Sequence, residues 1–564
     1  ELLNDIYQFA KNSIRVTTQD LFVDSQSRER GPYEGDAYVN QLTSYSFSRN
    51  YTVARFTNEF MAYHPEWCTE YQQENAMSFY QDYLYTGNKH SVAAFYDKIK
   101  TKVLSNKYDS NVQMIKTNTG NDLVDWPAGE RDGYTVGTSN PYNTAINAFN
   151  YKAAVNVAEI AKVLGNTEDA AYYTTLAANL KEGINKLYNA ETGNMMEGRN
   201  ADGSVRTAEP QHANFFPVSL GAVTDADKLA TITESLANDG IKCSVYAAQF
   251  LLTAMYEAGD AQGALDMLNS KGTRSYYHLI RELGVTIAPE AWDPALKGNM
   301  TFSHAWGSAP GNVIVRNLCG IQPLEAGYGK AQIKPAIASL ENVSVKVPNI
   351  KGYIYMDIDT TKSGYVTDMS VTLPANTTAK VYVPAENSGT DLLIVDGVST
   401  TATREGSYLV VDNVGSGKHT FQVPMAMKMT ASVEDGTNYV GHSKQIAVSV
   451  LDNNGQAISL DKAVLSYASS NDKVVSVDEK GVASFVGEGT ATVTVTAAFT
   501  NVEVLGTVIP SMVLESTVKF ETVAPEITGS ALKSVKTGNR ELQLTMYDRY
   551  SDGTEVAVDA SKVQ

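Results

Sequence analysis

The sequence has no cluster of basic residues, no framework of cysteines and no long apolar run. Across 564 residues, 63 Asp and Glu outnumber 45 Lys and Arg, which gives a formal net charge of −18. Nucleic acids and anionic membrane surfaces are bound by clustered Lys and Arg, so the acidic balance argues against both as partners. No apolar stretch reaches the roughly 18 residues that a membrane-spanning helix requires, so no membrane insertion is expected.

Cysteine is scarce, with Cys68, Cys243 and Cys319 far apart in the chain. An odd number at wide spacing suits buried thiols better than disulfides or a metal cluster. We therefore expect no metal and no cofactor. A signal peptide is also missing, and Glu1-Leu2-Leu3 already lies in a helical pattern, so the chain is expected to be a fragment whose N-terminal part was removed.

Amphipathic helices follow one another up to about residue 320. The first has apolar residues at the three-and-four spacing of one helix face, at Leu2, Leu3, Ile6, Phe9 and Ile14. Further helices are predicted over 37–62, 69–86, 89–105, 143–164, 167–189, 209–221, 225–237, 243–258, 260–270, 273–282 and 303–318. About twelve helices in pairs would complete a ring of six hairpins. A superhelical repeat array is the alternative, but no fixed period of 34 or 40 residues recurs.

The pattern changes after Gly320. Short β-branched alternations, such as Val343–Val347 and Ala379–Val383, are separated by Gly, Asn and Pro and predict a β-sandwich. A later stretch, 469–489, resembles a bacterial immunoglobulin-like module of the kind found in surface and secreted proteins. The last segment is too short to bury a core alone, so a truncated β domain is expected there. The predicted domains are therefore 1–322, 323–424, 425–523 and 524–564.

The loop Asp24–Asp36, between the first two helices, is rich in charge. It holds four carboxylates and two arginines, and its Gly and Pro residues indicate a loop rather than a helix. Crowded carboxylates repel each other, which raises the pKa of one of them and provides a general acid. The alternative is a solvated charged turn in which Asp36 caps the helix that follows.

Two further loops combine acidic and aromatic residues. One is Gly284–Asp293, where Glu290 and Asp293 flank Trp292, and the other is Asp125–Asp132. In a ring of hairpins the last hairpin closes on the first, so loops about 260 residues apart meet at one rim. An acid on one loop and a base on the other would meet the requirement for inverting glycoside hydrolysis, with carboxyls roughly 6.5–9.5 Å apart.

These loops together resemble the bacterial α-L-rhamnosidases of glycoside hydrolase family 78. The matching segments are Arg28–Arg30, Gly35–Ala37, Tyr80–Gly87, Val124–Trp126, Asn143–Phe149, Gly284–Thr286, Glu290–Asp293, Ser303–His304 and Ile333–Pro335. The resemblance covers about residues 1–424. It implies an (α/α)6 barrel catalytic domain followed by a β-sandwich, so that the whole chain is a multidomain α plus β protein. It also implies an inverting mechanism without a covalent intermediate.

The resemblance implies a role for each matched residue. Glu29 would be the general acid and Glu290 the general base. Rhamnose would be held by polar groups and aromatic walls at Asp24, Arg28, Tyr33, Asp36, Asp125, Trp126, Trp292 and His304. Tyr33 stands where the family has tryptophan, and because tyrosine also stacks on sugars, the acid–base pair is expected to survive this departure. The family's usual N-terminal β-domains are not in this chain.

Simpler interpretations stay open for single residues. Glu290 would then pair with an arginine inside the barrel, and His304 would be a histidine satisfied within the core. Trp67 and Trp306 would be packing residues, and Asp125 would orient its own loop through backbone amides.

The function predicted from the sequence is release of terminal α-L-rhamnose from plant or microbial glycans or glycosides. Its partner would be a rhamnose-containing oligosaccharide, polysaccharide or glycoside, and its place would be outside a bacterium or on its surface. The alternatives are another (α/α)6 glycosidase, a polysaccharide lyase, or a non-catalytic carbohydrate-binding surface protein.

Overall fold

A computed structural model describes residues 1–564 except 118, 363–364, 387, 389–390, 425–426, 453–455, 505–506, 560 and 562–564. The chain divides into two compact units. The first comprises Glu1–Thr361, Thr367–Pro384 and Thr403–Phe421, and the second comprises Lys362–Val366, Ala385–Ala402 and Gln422–Gln564.

The first unit begins with a helical domain, in which the described residues form thirteen α-helices. They are α1 (Leu2–Thr17), α2 (Glu34–Tyr45), α3 (Thr52–Tyr63), α4 (Thr69–Thr86), α5 (Lys89–Ala94), α6 (Tyr96–Lys100), α7 (Thr144–Leu164), α8 (Thr167–Asn185), α9 (Gln211–Ser219), α10 (Ala226–Asp239), α11 (Ala248–Glu257), α12 (Ala261–Leu268) and α13 (Pro310–Val313). A π-helical turn over Ile314–Leu318 extends α13, and a second such turn covers His278–Glu282.

Six of these helices form a closed inner ring. Each packs against the next in the order α2, α4, α7, α9, α11 and α13, and α13 packs against α2. The outer helices α1, α3, α5 with α6, α8, α10 and α12 pack against this ring, and outer and inner helices alternate along the chain. The predicted ring of six hairpins is therefore confirmed, and the repeat array is wrong.

The burial of each helix matches its place in the ring. Most residues of α7 between Thr144 and Ala161 are buried, because an inner helix has neighbours on most of its sides. Alanines 153, 154 and 158 in this helix let α8 approach closely, within one apolar cluster. Local signals fix its ends, since the Asn143 side chain accepts the Ile146 N–H and Gly165 closes the helix at φ 79°.

Several predicted helices are shorter than their patterns indicated. The stretch 37–62 is two helices, α2 and α3, and the break follows serines that bond locally, such as Ser46, whose hydroxyl donates to the Leu42 carbonyl. The stretch 89–105 is divided at Phe95 into α5 and α6. In 303–318 the α-helix begins only at Pro310, because the residues before it form the wall of a cleft.

Short strand pairs connect some helices, and longer strands follow residue 320. The strands up to residue 424 are β1 (Tyr108–Asp109), β2 (Met114–Ile115), β3 (Tyr142–Asn143), β4 (Tyr188–Asn189), β5 (Asn194–Met195), β6 (Gly198–Arg199), β7 (Ile321–Pro323), β8 (Lys330–Ile333), β9 (Asn342–Asn349), β10 (Gly352–Asp359), β11 (Tyr365–Leu373), β12 (Thr378–Pro384), β13 (Leu392–Val395), β14 (Val398–Thr401), β15 (Thr403–Glu405), β16 (Tyr408–Val414) and β17 (Gly417–Pro424).

The first unit ends in two packed sheets. One contains β9, β10, β11 and β17 in that order, and the other has the order β15-β16-β12-β8-β7, with β12 and β8 parallel. Ile354, Met356 and Ile358 are buried on β10 while Tyr353 and Tyr355 are exposed, which is the period of two expected for a sandwich face. Gly320 joins the helices to this sandwich at φ 68°, and a Cβ there would lie 1.9 Å from the Lys334 carbonyl oxygen.

The second unit contains β13, β14 and the strands that follow residue 424. These are β18 (Lys428–Ser432), β19 (Asn438–Tyr439), β20 (Ser443–Gln445), β21 (Ala447–Leu451), β22 (Ala463–Ser469), β23 (Val475–Val477), β24 (Val482–Phe485), β25 (Gly489–Val504), β26 (Thr507–Val523), β27 (Ile527–Gly538), β28 (Glu541–Tyr550) and β29 (Glu555–Ala557). Phe485, Val493, Val495 and Phe520 belong to its core. Strands β27, β28 and β29 form a separate three-stranded sheet.

The fold also shows the state of the cysteines and the apolar length of the helices. All three cysteines are free and buried, as their number and spacing predict. Among the helices in the described part of the chain, none is both long and apolar enough to cross a membrane.

Candidate active site

A cleft of about 220 Å³ opens at the end of the ring where the inner helices begin. Asp36 lies in the first turn of α2, Tyr71 lies in the first turn of α4, and Trp306 precedes α13. The residues that line the cleft are Asp24, Arg28, Glu29, Tyr33, Asp36, Trp67, Cys68, Tyr71, Leu123, Trp126, Glu290, His304 and Trp306.

The first and last hairpins bring two distant loops together in this cleft. Ser25 and His304 form an isolated antiparallel β-bridge, and the hydroxyls of Ser27 and Ser303 lie 3.4 Å apart. The Arg28 Nη1–H donates to the carbonyl of Asn299 over 2.9 Å. The ring therefore joins loops about 260 residues apart, as its closure predicts.

The Arg28 guanidinium lies between the carboxylates of Glu29 and Glu290. Its Nε is 2.6 Å from Glu29 Oε1, and its Nη2 is 2.8 Å from Glu290 Oε1. Glu290 is 2% exposed, whereas the Glu29 side chain is 35% exposed. One carboxylate thus lies deep in the cleft and the other near its mouth, with a single planar cation between them.

Further groups fix the charge of Glu290. The Lys297 ammonium is 3.5 Å from Oε1, and the Thr301 N–H donates to Oε2 over 3.0 Å. Burial raises the pKa of Glu290, but hydrogen bonds from Arg28 and Thr301 outweigh it and the net pKa is lowered. Glu290 therefore pairs with an arginine, as one interpretation expected, and that arginine is in the cleft. The carboxylate is ionised at neutral pH.

The raised carboxyl in this cleft belongs to Asp24. Its burial, and next the charge of Asp36, raise the pKa of Asp24 from 3.8 to about 6. Burial also raises the pKa of Glu29, but the hydrogen bond from Arg28 reverses the sign and the net pKa is lowered. Crowding of carboxylates therefore contributes to a raised pKa, as expected, but the residue with the raised pKa is Asp24 and not Glu29.

His304 is both buried and part of the cleft wall. Its Nε2 is 2.8 Å from Asp36 Oδ1, and its Nδ1 is 3.1 Å from the Thr301 hydroxyl. Both ring nitrogens therefore have protein partners. His304 is thus satisfied within the core and also forms part of the cleft wall. The ring packs 4.5 Å from Trp306, centroid to centroid, and Trp306 in turn stacks on Tyr246.

Comparison with known proteins places the chain in a family. Residues 1–318 match the model described as the bacterial alpha-L-rhamnosidase 6 hairpin glycosidase domain. The chain belongs to this family. Residues 320–391 match the C-terminal domain of bacterial alpha-L-rhamnosidases, and residues 461–499 match the immunoglobulin-like domain of intimin.

Individual relatives are more distant. A protein of Streptomyces avermitilis named alpha-L-rhamnosidase is 27% identical over 311 residues, which cover 52% of this chain and 28% of the relative. The structure of Streptomyces avermitilis alpha-L-rhamnosidase complexed with L-rhamnose has a TM-score of 0.60 at 20% identity, covering 75% of this chain and 41% of that one. The GH78 family rhamnosidase of Bacillus sp. GL1 has a TM-score of 0.58 at 19% identity, with coverages of 67% and 41%. The chain spans less than half the length of these relatives, and the structural likeness shows a shared fold.

Aromatic side chains form part of the walls of this cleft. Trp126 is 38% exposed, and the Lys297 ammonium lies 5.6 Å from its ring centroid. Trp67 is 51% exposed, so it is a surface of the cleft and not the packing residue that its type favoured. Trp306 is 3% exposed and does pack.

Two predicted substrate contacts are not brought to the cleft. Asp125 is fully buried and accepts hydrogen bonds from the N–H groups of Trp126 and Ser244, over 2.8 and 2.9 Å. Its Oδ2 is also 2.7 Å from His212 Nε2, so Asp125 orients its loop. Trp292 is fully buried, and its indole N–H donates to the Cys243 carbonyl over 2.8 Å. Both residues support the loops behind the cleft.

Sequence reasoning missed Trp67, Tyr71, Leu123 and Lys297. For Trp67 a signal existed, because it precedes an inner helix by two residues, much as Tyr33 directly precedes α2. Lys297 carried no such signal, since its approach to Glu290 depends on how the loop turns back. Within the described part of the chain, no group of three or more His, Cys, Asp or Glu side chains is arranged to hold a metal ion.

Proposed function

We propose that this protein is an inverting glycoside hydrolase that releases terminal α-L-rhamnose from plant or microbial glycans or glycosides. The family supports the substrate class. The observation that carries the mechanism is the bridge from Glu29 through Arg28 to Glu290, because it gives one cleft two carboxylates with a gap between them. An inverting glycosidase needs such a gap for a water and a sugar ring.

Glu29 is the proposed general acid. It lies nearer the mouth of the cleft, where a leaving group departs. Arg28 lowers the pKa of Glu29, so a sugar that displaces the guanidinium raises that pKa and favours the protonated form. Asp24 hydrogen bonds to Glu29 and has a raised pKa, which makes it a nearby source of that proton.

Glu290 is the proposed general base. A base must be ionised, and the contacts that lower the pKa of Glu290 keep it so at neutral pH. It is almost fully buried, so a water held against it is shielded from bulk solvent. That water attacks the anomeric carbon on the face opposite the leaving group, and the configuration inverts.

The remaining polar and aromatic residues of the cleft are proposed to bind the sugar. Asp24, Asp36 and His304 present polar atoms for hydroxyl groups, while Tyr33 and Trp126 provide apolar faces for the ring and its 6-methyl group. Asp125 and Trp292, predicted as contacts, are assigned a supporting role instead. An extracellular or cell-surface location and the four domains 1–322, 323–424, 425–523 and 524–564 complete the proposal, supported by the immunoglobulin-like match.

Hydrolysis of an aryl α-L-rhamnoside panel, with other aryl glycosides as controls, tests the substrate class. Glu29→Gln should reduce hydrolysis most for poor leaving groups, because activated aryl groups need little protonation. Glu168→Gln, the same change on the exposed outer helix α8, is the matched control. Equal losses on both kinds of substrate would remove Glu29 from the role of acid. Preference for another glycoside would remove rhamnose from the proposal.

Proton NMR of the first-formed sugar tests the stereochemistry. Inversion of an α-L-rhamnoside gives the β anomer before mutarotation, whereas direct attack by Glu290 on carbon would retain the α configuration. An initial α product contradicts the water mechanism and leaves the substrate class intact.

A further inference from the structure

A second cavity, of about 460 Å³, lies at the opposite end of the same ring. Gln81 near the end of α4, Glu257 at the last residue of α11, and Asn317 in the turn after α13 all line it. Late turns of α4 and α11 and the turn after α13 thus reach this cavity, which extends inward to Tyr38 in the second turn of α2 and Gln249 in the first turn of α11. Its volume is in the range of small-molecule sites and exceeds that of the cleft.

Two cations face this cavity without a close anionic partner. Lys152 of α7 and Arg316 of the final turn are both half-buried. No carboxylate of the described residues lies within 4.0 Å of either charged group, although Glu257 is close enough to influence both. Burial lowers the pKa of Lys152, Glu257 opposes that change, and the Arg316 charge lowers it further. Two like charges that are partly dehydrated and unpaired are unfavourable unless an anion joins them.

Neutral polar groups surround these cations. Asn156 is 1% exposed, and its amide nitrogen has no hydrogen-bond partner among the described groups. Gln81 on α4 also lines the cavity, as does Gln249 on α11, whose amide oxygen accepts the Asn312 amide N–H over 2.6 Å and whose amide N–H donates to the Thr253 hydroxyl over 3.3 Å. The rings of Tyr38 and Phe250 form an apolar wall. Amides beside aromatic faces are the groups that proteins present to sugar hydroxyls and rings.

The geometry points to a second ligand site in this cavity, for a small carboxylate-bearing sugar such as a uronate. The Arg316 guanidinium, whose Nη2–H also donates to the Gln322 amide oxygen over 3.4 Å, offers further donors to a carboxylate, and Lys152 adds a point charge. The amides of Asn156 and Gln81 would form hydrogen bonds with the hydroxyl groups. This site lies at the other end of the ring from Glu29 and Glu290, so it goes beyond the proposed hydrolysis and is independent of it.

A structural role for the cations is the competing explanation. Cations near the ends of α4 and α11 offset the partial negative charge of helix carboxyl termini. That role requires no ligand, so binding measurements separate the two explanations.

The test titrates the full chain with D-galacturonate and with neutral D-galactose by isothermal calorimetry. We expect saturable binding of galacturonate and at least about tenfold weaker binding of galactose, since each factor of ten reflects about 1.4 kcal/mol of lost charge pairing. Arg316→Gln and Lys152→Gln should each weaken galacturonate binding about tenfold or more. Glu29→Gln, at the cleft end, should leave it unchanged.

Several results would overturn the assignment. These are no saturable binding of galacturonate, equal binding of galactose, equally tight binding of inorganic phosphate, or loss of binding in Glu29→Gln. If the cation variants do not fold, Asn156→Leu keeps both charges and should still weaken galacturonate binding several-fold. A ligand-dependent rise in the melting temperature of the unmodified chain gives a second readout. All readouts measure binding, so failure of the hydrolysis proposal does not affect them.

Discussion

The two ends of the helical ring carry opposite charges, although the same inner helices build both. At the cleft end, the carboxylates of Glu29 and Glu290 are joined by Arg28 and face the buried pair of Asp36 and His304. At the far end, two cations share a cavity with one carboxylate that is not in contact with them. The cations of the cleft end are paired with Glu290, whereas those of the far end have no carboxylate of the described residues within 4.0 Å.

The sign of each end follows from the direction of the helices. Carboxylates are favoured near helix amino termini, and Asp36 occupies the first turn of α2. Cations are favoured near carboxyl termini, where Arg316 lies. The direction of the helices explains the sign of the charge at each end, but not which charged groups form ion pairs. Substitutions at either end test the ion pairs.

The largest expected effect is the loss of hydrolysis in Glu290→Gln. The amide cannot accept a proton from water, so kcat/KM on an aryl α-L-rhamnoside should fall by about 10²–10⁴-fold. The melting temperature should also fall, because an amide that keeps its oxygen on the Thr301 N–H turns its NH2 toward the cations of Arg28 and Lys297, so kcat/KM is compared at a temperature where both proteins are folded. Glu257→Gln is the matched change at the far end and should leave hydrolysis within about twofold. Comparable losses of kcat/KM in both variants would show that hydrolysis does not depend specifically on the cleft end.

A large loss of stability is expected for Asp125→Ala behind the cleft. The variant leaves the donors of Trp126, Ser244 and His212 unsatisfied in a buried place, so the free energy of unfolding should fall by about 3–5 kcal/mol. Urea unfolding measures it, with the exposed Asp239→Ala as control. A loss as small as that of the control would show that the pairing behind the cleft is not structural.

Asp24 makes stability depend on pH at the cleft end. Its pKa is about 6 in the folded state against 3.8 as the reference value, so folded protein binds more protons between these values. This group therefore stabilises the fold least above pH 6, and its contribution declines by about 2 kcal/mol as pH rises from about 4 to about 6. Asp24→Asn should remove that decline in urea unfolding across this range. Parallel curves for the variant and the unmodified chain would contradict it, and the exposed Asp202→Asn is the control.

Arg28→Gln should move the pH profile of hydrolysis rather than abolish it. Arg28 lowers the pKa of both Glu29 and Glu290, so its removal raises both. Both limbs of kcat/KM against pH should then shift to higher pH, since they report the acid and the base of the free enzyme. The neighbouring, exposed Arg30→Gln should leave the profile in place. An unshifted profile in Arg28→Gln would mean that the bridge does not set these charges.

The smallest expected effect compares one substitution at both ends. Lys152→Met removes a half-buried cation that lacks a close anion, so it should raise the free energy of unfolding by up to about 1 kcal/mol. Lys297→Met removes a partner of Glu290 and should lower it. Equal signs in thermal unfolding would show that the two ends do not differ in how their charges are paired.

Local signals in the sequence determined much of the helical domain. Gly87 and Gly165 end α4 and α7 where the sequence indicated, because their positive φ is readily adopted only by glycine. Paired helices with short turns predicted the ring. Closure of the ring in turn predicted that the loops of Glu29 and Glu290 meet. These features rest on periodicity, chain stops and connectivity, all of which are properties of neighbouring residues.

Only the tertiary structure decided which charged groups touch. The contact of Arg28 with both carboxylates was not predicted, and the raised pKa belongs to Asp24. Asp125 turns inward to partners 87 and 119 residues away, His212 and Ser244. The sequence also did not predict that Lys297 pairs with Glu290, or that no carboxylate of the described residues lies within 4.0 Å of the Lys152 ammonium. The reason is physical: electrostatic energy depends on distance and burial in space, and a loop's sequence leaves open which of its side chains face the ring.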